Sequence, residues 1–238
     1  MFTFFPWKPL KSLKNAFFTL QMVDHTFLHA DRGVQYRLLP EKAIHLPGAG
    51  VLLISDLHLG KVNHFRKSGI PVPSRANDAN TENLIQLLMR YRPARMVIIG
   101  DLFHSHYNSE WEVFGAVVRA FPECRFELVT GNHDILGDHL YARHGITLCS
   151  EMELLPGLWL RHDPLTEVEE GTYQICGHLH PAIGLHGKGR QSMRLPCFWF
   201  GKTTAVLPAF GAFTGAKTIS PRSGDRIFAI AEGKVIAL

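Results

Sequence analysis

Short runs of apolar and β-branched residues recur along the first half of the chain, separated by polar turns and by longer segments. Such a run between turn residues is typical of a buried strand. The pattern predicts strands over residues 36–39, 43–45, 51–55, 96–99 and 126–129. The first three lie close enough in sequence to pair with one another in one sheet.

Two longer segments between these runs have the spacing of amphipathic helices. Residues 77–91 carry one broad apolar face, and this pattern ends before Pro93. Ser109 and Glu112 have the spacing of a capping box, which predicts a second helix from Ser109 to Phe121. Strands that alternate with helices indicate βαβ organisation in this half of the chain.

The second half has apolar runs without long helical segments between them. The predicted strands cover residues 158–161, 173–176, 197–200, 204–207 and 227–238. Within the last of these, Glu232 and Gly233 predict a hairpin turn between strands at 226–231 and 234–237. A helix-rich half followed by a strand-rich half predicts an α/β (α+β) fold in which two sheets pack face to face with helices outside.

Composition agrees with one large domain. The chain has 238 residues, of which 46% are hydrophobic and 19% charged, enough apolar material for a substantial core. Its four cysteines show no C-x-x-C spacing, so the sequence predicts neither a structural zinc site nor a disulfide framework, and a reducing, cytoplasmic location is expected. No stretch reaches the roughly 20 apolar residues of a membrane span.

Four of the apolar runs are followed directly by residue types that bind metal ions. Two divalent ions held close together need several nitrogen and oxygen donors and a carboxylate that can bridge them. Any one of these motifs could instead be a turn, because Asp, Asn and Gly are favoured in turns. Four such motifs in this order, however, favour a two-metal hydrolase. The motifs are Asp56-Leu57-His58, Gly100-Asp101, Gly131-Asn132-His133-Asp134 and Gly177-His178-Leu179-His180.

This order of motifs resembles the calcineurin-like metallophosphoesterases. The match is closer to one branch, the ligase-associated DNA damage response phosphoesterases of bacteria, often called the PdeM type. The segments that carry this closer resemblance lie directly after the first motif and in the C-terminal part of the chain. The resemblance covers the residues from Leu38 onward. They are Leu59-Gly60-Lys61, Phe65-Arg66, Gly69-Ile70-Pro71-Val72-Pro73, Leu195-Pro196-Cys197-Phe198 and Leu207-Pro208-Ala209-Phe210-Gly211.

The resemblance implies a four-layer αββα sandwich of two mixed sheets, and a metal ligand set of which each member lies in a motif. The ligands of the first ion would be Asp56, His58 and His180, those of the second Asn132, His162 and His178, and the bridging ligand Asp101. His162 is the best match for a lone histidine of the family because it ends an apolar run. His144 and His139 are its competitors, although they lie in a polar stretch.

The implied reaction is direct attack on phosphorus by a hydroxide that two divalent ions activate, since metal binding lowers the pKa of water from about 15.7 toward 7. His133 is the candidate proton donor to the leaving oxygen, because an unperturbed imidazole titrates near neutral pH. Asp134 is assigned with it as an orienting carboxylate, with a role in the loop itself as the alternative.

Three further residues are candidates for substrate contact. His104 follows the bridging Asp101 at an offset where related nucleases of double-strand-break repair hold a histidine near the phosphate. Lys61 and Arg66 follow the first motif and could hold neighbouring phosphates. The alternative for all three is a solvated loop, and the net charge of +4 with a pI of about 8.9 does not by itself indicate nucleic acid.

The first 21 residues differ from the rest in being aromatic and basic. We expect them to be an N-terminal extension to a single catalytic domain over 22–238. Met22 is a candidate natural start, in which case residues 1–21 would be translated upstream sequence. An amphipathic surface helix is the alternative, although Pro6 and Pro9 interrupt its start.

The function predicted from these features is hydrolysis of phosphodiester bonds with two metal ions, in DNA, by an endonuclease or end-processing enzyme of bacterial repair. Manganese is the expected metal, with iron or zinc as alternatives. A DNA ligase and a helicase-like protein are implied only as neighbours in the same pathway. The alternatives are a small-molecule phosphodiesterase or nucleotide pyrophosphatase and, in another class, a noncatalytic scaffold, against which the complete ligand set argues.

Overall fold

The computed structural model describes residues 27–31, 33–60, 75–104, 107, 109–186, 192–212 and 214–238. The candidate substrate contacts Lys61 and Arg66, and the proposed extension with Met22, lie outside these ranges. In the part of the chain that is described, no helix is both long and apolar enough to cross a membrane.

The first sheet has seven strands in sequential order. Strands β1 to β4 pair antiparallel and β4 to β7 pair parallel, so the sheet is mixed. All five predicted strands of this half are confirmed to within two residues at either end. The strands are β1 (Phe27–Asp31), β2 (Val34–Leu39), β3 (Ala43–Leu46), β4 (Val51–Ser55), β5 (Arg95–Ile99), β6 (Arg125–Val129) and β7 (Ile146–Cys149).

Three helices are described in this half of the chain. They are α1 (Arg75–Tyr91), α2 (Ser109–Ala120) and α3 (Asp138–Arg143). The first two match the predicted helices to within two residues. The Glu112 carboxylate, predicted to close a capping box with Ser109, accepts hydrogen bonds from the Tyr107 hydroxyl and the Arg143 guanidinium.

The second sheet has nine strands, of which β9, β10 and β13 run parallel and the others mostly antiparallel. The hairpin at Glu232 and Gly233 is confirmed, and both residues have positive φ, as a tight primed turn requires. The strands are β8 (Glu151–Leu155), β9 (Leu158–Arg161), β10 (Tyr173–Cys176), β11 (Pro181–His186), β12 (Ser192–Phe200), β13 (Thr204–Val206), β14 (Lys217–Thr218), β15 (Arg226–Ala231) and β16 (Lys234–Ala237).

The two sheets pack face to face, as predicted. Alternate residues of β4 to β6, such as Leu53 and Val97, meet Leu160, Ile175 and Phe198 of the second sheet in one buried core. The intervening residues face the other way, into a second core beneath the three helices. The three described helices thus cover the outer face of the first sheet, and the predicted α/β sandwich of two mixed sheets packed face to face with helices outside is confirmed.

The four cysteines are all free. Burial raises the pKa of the Cys176 and Cys197 thiols to about 12, which keeps both protonated at neutral pH. These two residues lie in strands β10 and β12 and serve as small apolar side chains, as their sequence context predicts.

Candidate active site

The predicted ligands gather where the parallel strands of the two sheets end. Ser55, Ile99 and Val129 are aligned across β4, β5 and β6, so the residues after them lie along one edge of the first sheet. Arg161 and Cys176 are likewise aligned at the ends of β9 and β10. The carboxyl ends of parallel strands are the usual place for functional groups in α/β proteins. Both sheets therefore contribute side chains to one site.

Backbone hydrogen bonds join these strand-end loops into a rigid frame. The Asp56 and His58 amides donate to the carbonyls of Gly100 and Asp101, at 3.1 and 2.9 Å. The Asp56 carboxylate accepts the His178 amide at 3.1 Å, which ties the first sheet to the second. The positions of the ligand residues are thus set mainly by the main chain.

Five of the seven predicted ligands have an unusual backbone conformation. Asp56, His58, Asp101, His178 and His180 all have φ between 45° and 63°, in the left-handed region that non-glycine residues rarely adopt. Each such residue costs about 1 kcal/mol or more, and the conformation persists only where the surrounding structure enforces it. The observed concentration of strain at one place is typical of a functional site.

A first cluster consists of Asp56, His58 and His180, with donor atoms all within 4.8 Å of one another. The Asp56 Oδ1 atom lies 3.1 Å from His180 Nε2. The other ring nitrogen of His180 lies 2.9 Å from the Gly215 carbonyl, a contact that orients the ring with Nε2 toward the cluster. Asp56 and His58 are almost completely buried.

A second cluster surrounds His162. Its Nε2 atom lies 3.2 Å from Asn132 Oδ1 and 3.2 Å from His178 Nδ1, while its Nδ1 atom faces the Ile99 carbonyl at 3.4 Å. His162 is buried, whereas Asn132 and His178 are exposed. This cluster is therefore open to solvent on one side, as a site that admits a substrate must be.

Asp101 lies between the two clusters and faces both. Its Oδ2 atom is 3.6 Å from His58 Nε2, and its Oδ1 atom is 3.5 Å from His162 Nε2. A carboxylate whose two oxygens face different sets of donors has the geometry of a bridging ligand. This matches the role that the motif resemblance implies for Asp101.

The donor chemistry and spacing fit two divalent ions. Neighbouring ligands at right angles, each bonded at about 2.1 Å, are about 3 Å apart, close to the separations found in both clusters. Carboxylate, amide and imidazole donors without thiolate suit manganese, iron or zinc. The residues present therefore fit the metal centre predicted from the sequence.

Glycines leave the space that the ligands occupy. A Cβ atom at Gly100 would lie 1.9 Å from the His162 ring, one at Gly131 2.3 Å from Asp101 Oδ1, and one at Gly177 2.6 Å from Asp56 Oδ2. These glycines lie in the metal-ligand motifs, but the sequence alone indicates no function of their own for them. Their position directly before a ligand motif was the available signal.

Substitution Gly100→Ala should lower the free energy of unfolding by about 3 kcal/mol, since it combines positive-φ strain with overpacking. Displacement of His162 should also weaken manganese binding at the second cluster at least ~10-fold. Gly145→Ala is the matched control, because Gly145 has φ of 76° against 69° at Gly100 but nothing within 4 Å of its Cβ position. It should cost only about 1 kcal/mol. Equal losses in denaturant titrations of the two variants would refute the steric explanation.

Asp134 has a different role from the orienting one assigned to it. Its carboxylate accepts hydrogen bonds from the backbone amides of Asp101, Leu102, Phe103 and Gly131, at 2.8 to 3.2 Å. Burial raises the pKa of the Asp134 carboxyl to about 6, against the opposing effect of these N–H donors. Asp134 thus holds two strand-end loops together, which is the alternative that the sequence left open.

His133 and His104 lie beside the first cluster. The two rings are 4.4 Å apart between centroids, and His104 Nδ1 lies 3.1 Å from His58 Nδ1. The His133 amide donates to Asp101 Oδ1 at 3.0 Å. His104 is therefore part of the site rather than a solvated loop residue, although its contact with substrate stays a prediction.

The structure separates the three candidates for the lone histidine. His162 lies in the second cluster, as described above. His144 is buried elsewhere, against Trp111 and near the Arg119 guanidinium, and burial lowers its pKa. His139 is exposed on α3. His162 is the candidate that the fold brings to the other predicted ligands.

Comparison with known proteins extends these observations. A family model described as calcineurin-like phosphoesterase matches residues 50–191, a range that includes every metal-ligand motif. Nuclease MPE of Pseudomonas putida has 28% sequence identity and a TM-score of 0.75, over 90% of this chain and 100% of that chain. Yfce, a phosphoesterase from E. coli, has 13% identity and a TM-score of 0.43, over 79% and 96% respectively. No curated protein sequence matches the chain.

Proposed function

The chain belongs to the calcineurin-like phosphoesterase family, and we propose that it uses two metal ions to hydrolyse phosphodiester bonds in DNA. Metal-dependent phosphoester hydrolysis follows from the family. The observation that carries the assignment of the site is Asp101, whose two carboxylate oxygens face two separate clusters of donors. Asp101 directly follows β5 at the carboxyl ends of the parallel strands, and the exposed Asn132 and His178 beside it support access for a substrate.

We assign the ligands by cluster. The first ion would be held by Asp56, His58 and His180, the second by Asn132, His162 and His178, with Asp101 between them. When bound, the two ions would lower the pKa of water and neutralise charge on the phosphoryl oxygens. Manganese is the metal we propose, on the basis of hard oxygen donors mixed with imidazole.

His133 is the group we propose to protonate the leaving oxygen. Its backbone amide is fixed on Asp101, while its ring lies against His58 and His104 at the rim of the first cluster. A proton donor at this position is within reach of a phosphate that is bound across both clusters. His104, on the same rim, would contact the nonbridging oxygens of that phosphate.

Two observations support DNA as the substrate. The second cluster is open on the side of Asn132 and His178, so that a long chain could pass over it. The similar chain from P. putida is a nuclease. We propose an endonuclease or end-processing activity in repair on this basis. The association with a DNA ligase and a helicase-like protein rests on the motif resemblance alone.

A direct test compares two substrates after removal of metal with chelator and readdition of manganese, iron or zinc. We expect manganese-dependent cleavage of both circular plasmid DNA and bis-nitrophenyl phosphate by the wild-type protein. Cleavage of the small ester or of a cyclic nucleotide, with plasmid and nicked DNA left intact, would support the alternative of a small-molecule phosphodiesterase. Failure to cleave any of these substrates with any of the metals would refute the proposal.

A further inference from the structure

Asp163 is an acidic residue beside the second cluster to which neither the motifs nor the family ligand set gives a role. Its Oδ1 atom lies 3.3 Å from His178 Nδ1. The donor atoms of His162, Asp163 and His178 are all within 4.8 Å of one another, as are those of the first cluster. Asp163 is thus as close to the second cluster as the assigned ligands are to each other.

The nitrogen that Asp163 approaches is the one that faces the cluster. His178 Nδ1 lies 3.2 Å from His162 Nε2, which in turn lies 3.2 Å from Asn132 Oδ1. A carboxylate that merely orients a metal-binding histidine contacts the ring nitrogen on the far side from the ion. Asp163 contacts the near side, which is the position of a potential ligand rather than of an orienting carboxylate.

The surroundings of Asp163 also favour a bound cation. Its side chain is 66% exposed, and within the described ranges His178 is its one ion-pair partner. Among the described residues, no lysine or arginine lies within 4 Å of its carboxylate, and the other donors of this cluster are Asn132, His162, His178 and Asp101. A divalent ion at this position would provide the missing positive charge.

We propose that Asp163 is an additional carboxylate ligand of the second metal ion, at its solvent-exposed side. This inference rests on the proposed two-metal function. One more negative charge increases the affinity of the second cluster for hard divalent ions and offsets part of the positive charge that a phosphodiester meets there. Because the residue is exposed, it can be displaced when the substrate phosphate binds, and it thereby couples retention of the ion to substrate entry.

The test is a titration of the metal-free protein with Mn²⁺. Binding is measured by calorimetry and by the electron paramagnetic resonance signal of the Mn²⁺ that stays free. We expect two bound ions in the wild type. In Asp163→Asn and Asp163→Ala one site should be unchanged and the other weakened at least ~10-fold. Glu167→Gln, an exposed acidic residue of the same loop, is the matched control and should bind as the wild type does.

Three outcomes decide the assignment. Wild-type affinity at both sites in the two Asp163 variants would overturn it, even if the protein cleaves phosphodiesters. Normal binding by Asp163→Asn with weakened binding by Asp163→Ala would also overturn it, because a neutral amide would then suffice and the carboxylate charge would not contribute to affinity. Selective weakening in both variants supports it, and does so even if no phosphodiester is cleaved, so the inference and the proposed function can fail separately.

Discussion

Asp101→Asn should reduce cleavage of bis-nitrophenyl phosphate and of DNA by at least ~10³-fold, a loss of about 4 kcal/mol of transition-state stabilisation. One carboxylate oxygen of Asp101 faces the first cluster and the other faces the second. Asparagine offers a single oxygen and no charge, so it can serve one ion but cannot bridge two. The rate constants of both reactions at saturating manganese measure this loss.

The substitution should leave the fold intact. The variant would keep the backbone amide that donates to Asp134, and the side-chain oxygen of the new asparagine could still accept the His133 amide. Asp138→Asn, which changes an exposed carboxylate at the start of α3, is the control for loss of charge alone and should keep wild-type activity. An Asp101→Asn protein that is folded, binds two manganese ions as tightly as the wild type and remains active would exclude the bridging role.

The strands that carry the site were the most predictable part of the fold. Strands β4 and β5 are buried on both faces, so they are almost continuous apolar runs that stand out from the surrounding chain. Strands β8, β11 and β14 were not predicted, because each is short or partly exposed and lies at or near an edge of the second sheet. Their place depends on pairing partners that local pattern does not reveal.

In the site, too, local sequence pattern indicates some features, while others depend on tertiary contacts. The residues of the two clusters could be identified from the sequence because each follows a buried strand and has a side chain of a type that binds metal. The different contacts of Asp134 and Asp163 could not be identified in this way, since each of the two lies next to a predicted site residue and only the tertiary structure distinguishes them. Asp134 faces four backbone amides, whereas Asp163 faces the ring of His178. Proximity in sequence alone would have given both the same role.

Backbone strain and steric clearance are further properties that sequence pattern does not report. Asp56, His58 and Asp101 hold positive φ because the bonds between adjacent loops impose it. Gly131 and Gly177 leave room for two carboxylates that approach from other strands. In both cases the interacting residues lie far apart in the chain. A motif therefore contains only one of the two partners, and the other can be identified only in the folded structure.

His133→Ala should have an effect that depends on the leaving group. Loss of a general acid typically costs 10²–10⁴-fold in rate, and we expect a loss in this range for DNA, whose leaving alkoxide needs a proton. Nitrophenolate is stable without protonation, so cleavage of bis-nitrophenyl phosphate should fall less than ~10-fold. The measurement is the rate with a series of aryl and alkyl phosphodiesters of increasing leaving-group basicity.

The position of His133 explains why this substitution should separate protonation from metal binding. Its contact with the bridging residue is made by the backbone amide, which alanine retains, and its ring lies at the rim with His104. Manganese affinity should therefore stay at the wild-type value, as should the activity of His139→Ala, the exposed histidine of α3. Equal losses on aryl and alkyl esters would assign His133 to binding rather than to proton transfer. A leaving-group-dependent loss confined to His104→Ala would identify His104 as the proton donor, because these two rings share the same rim.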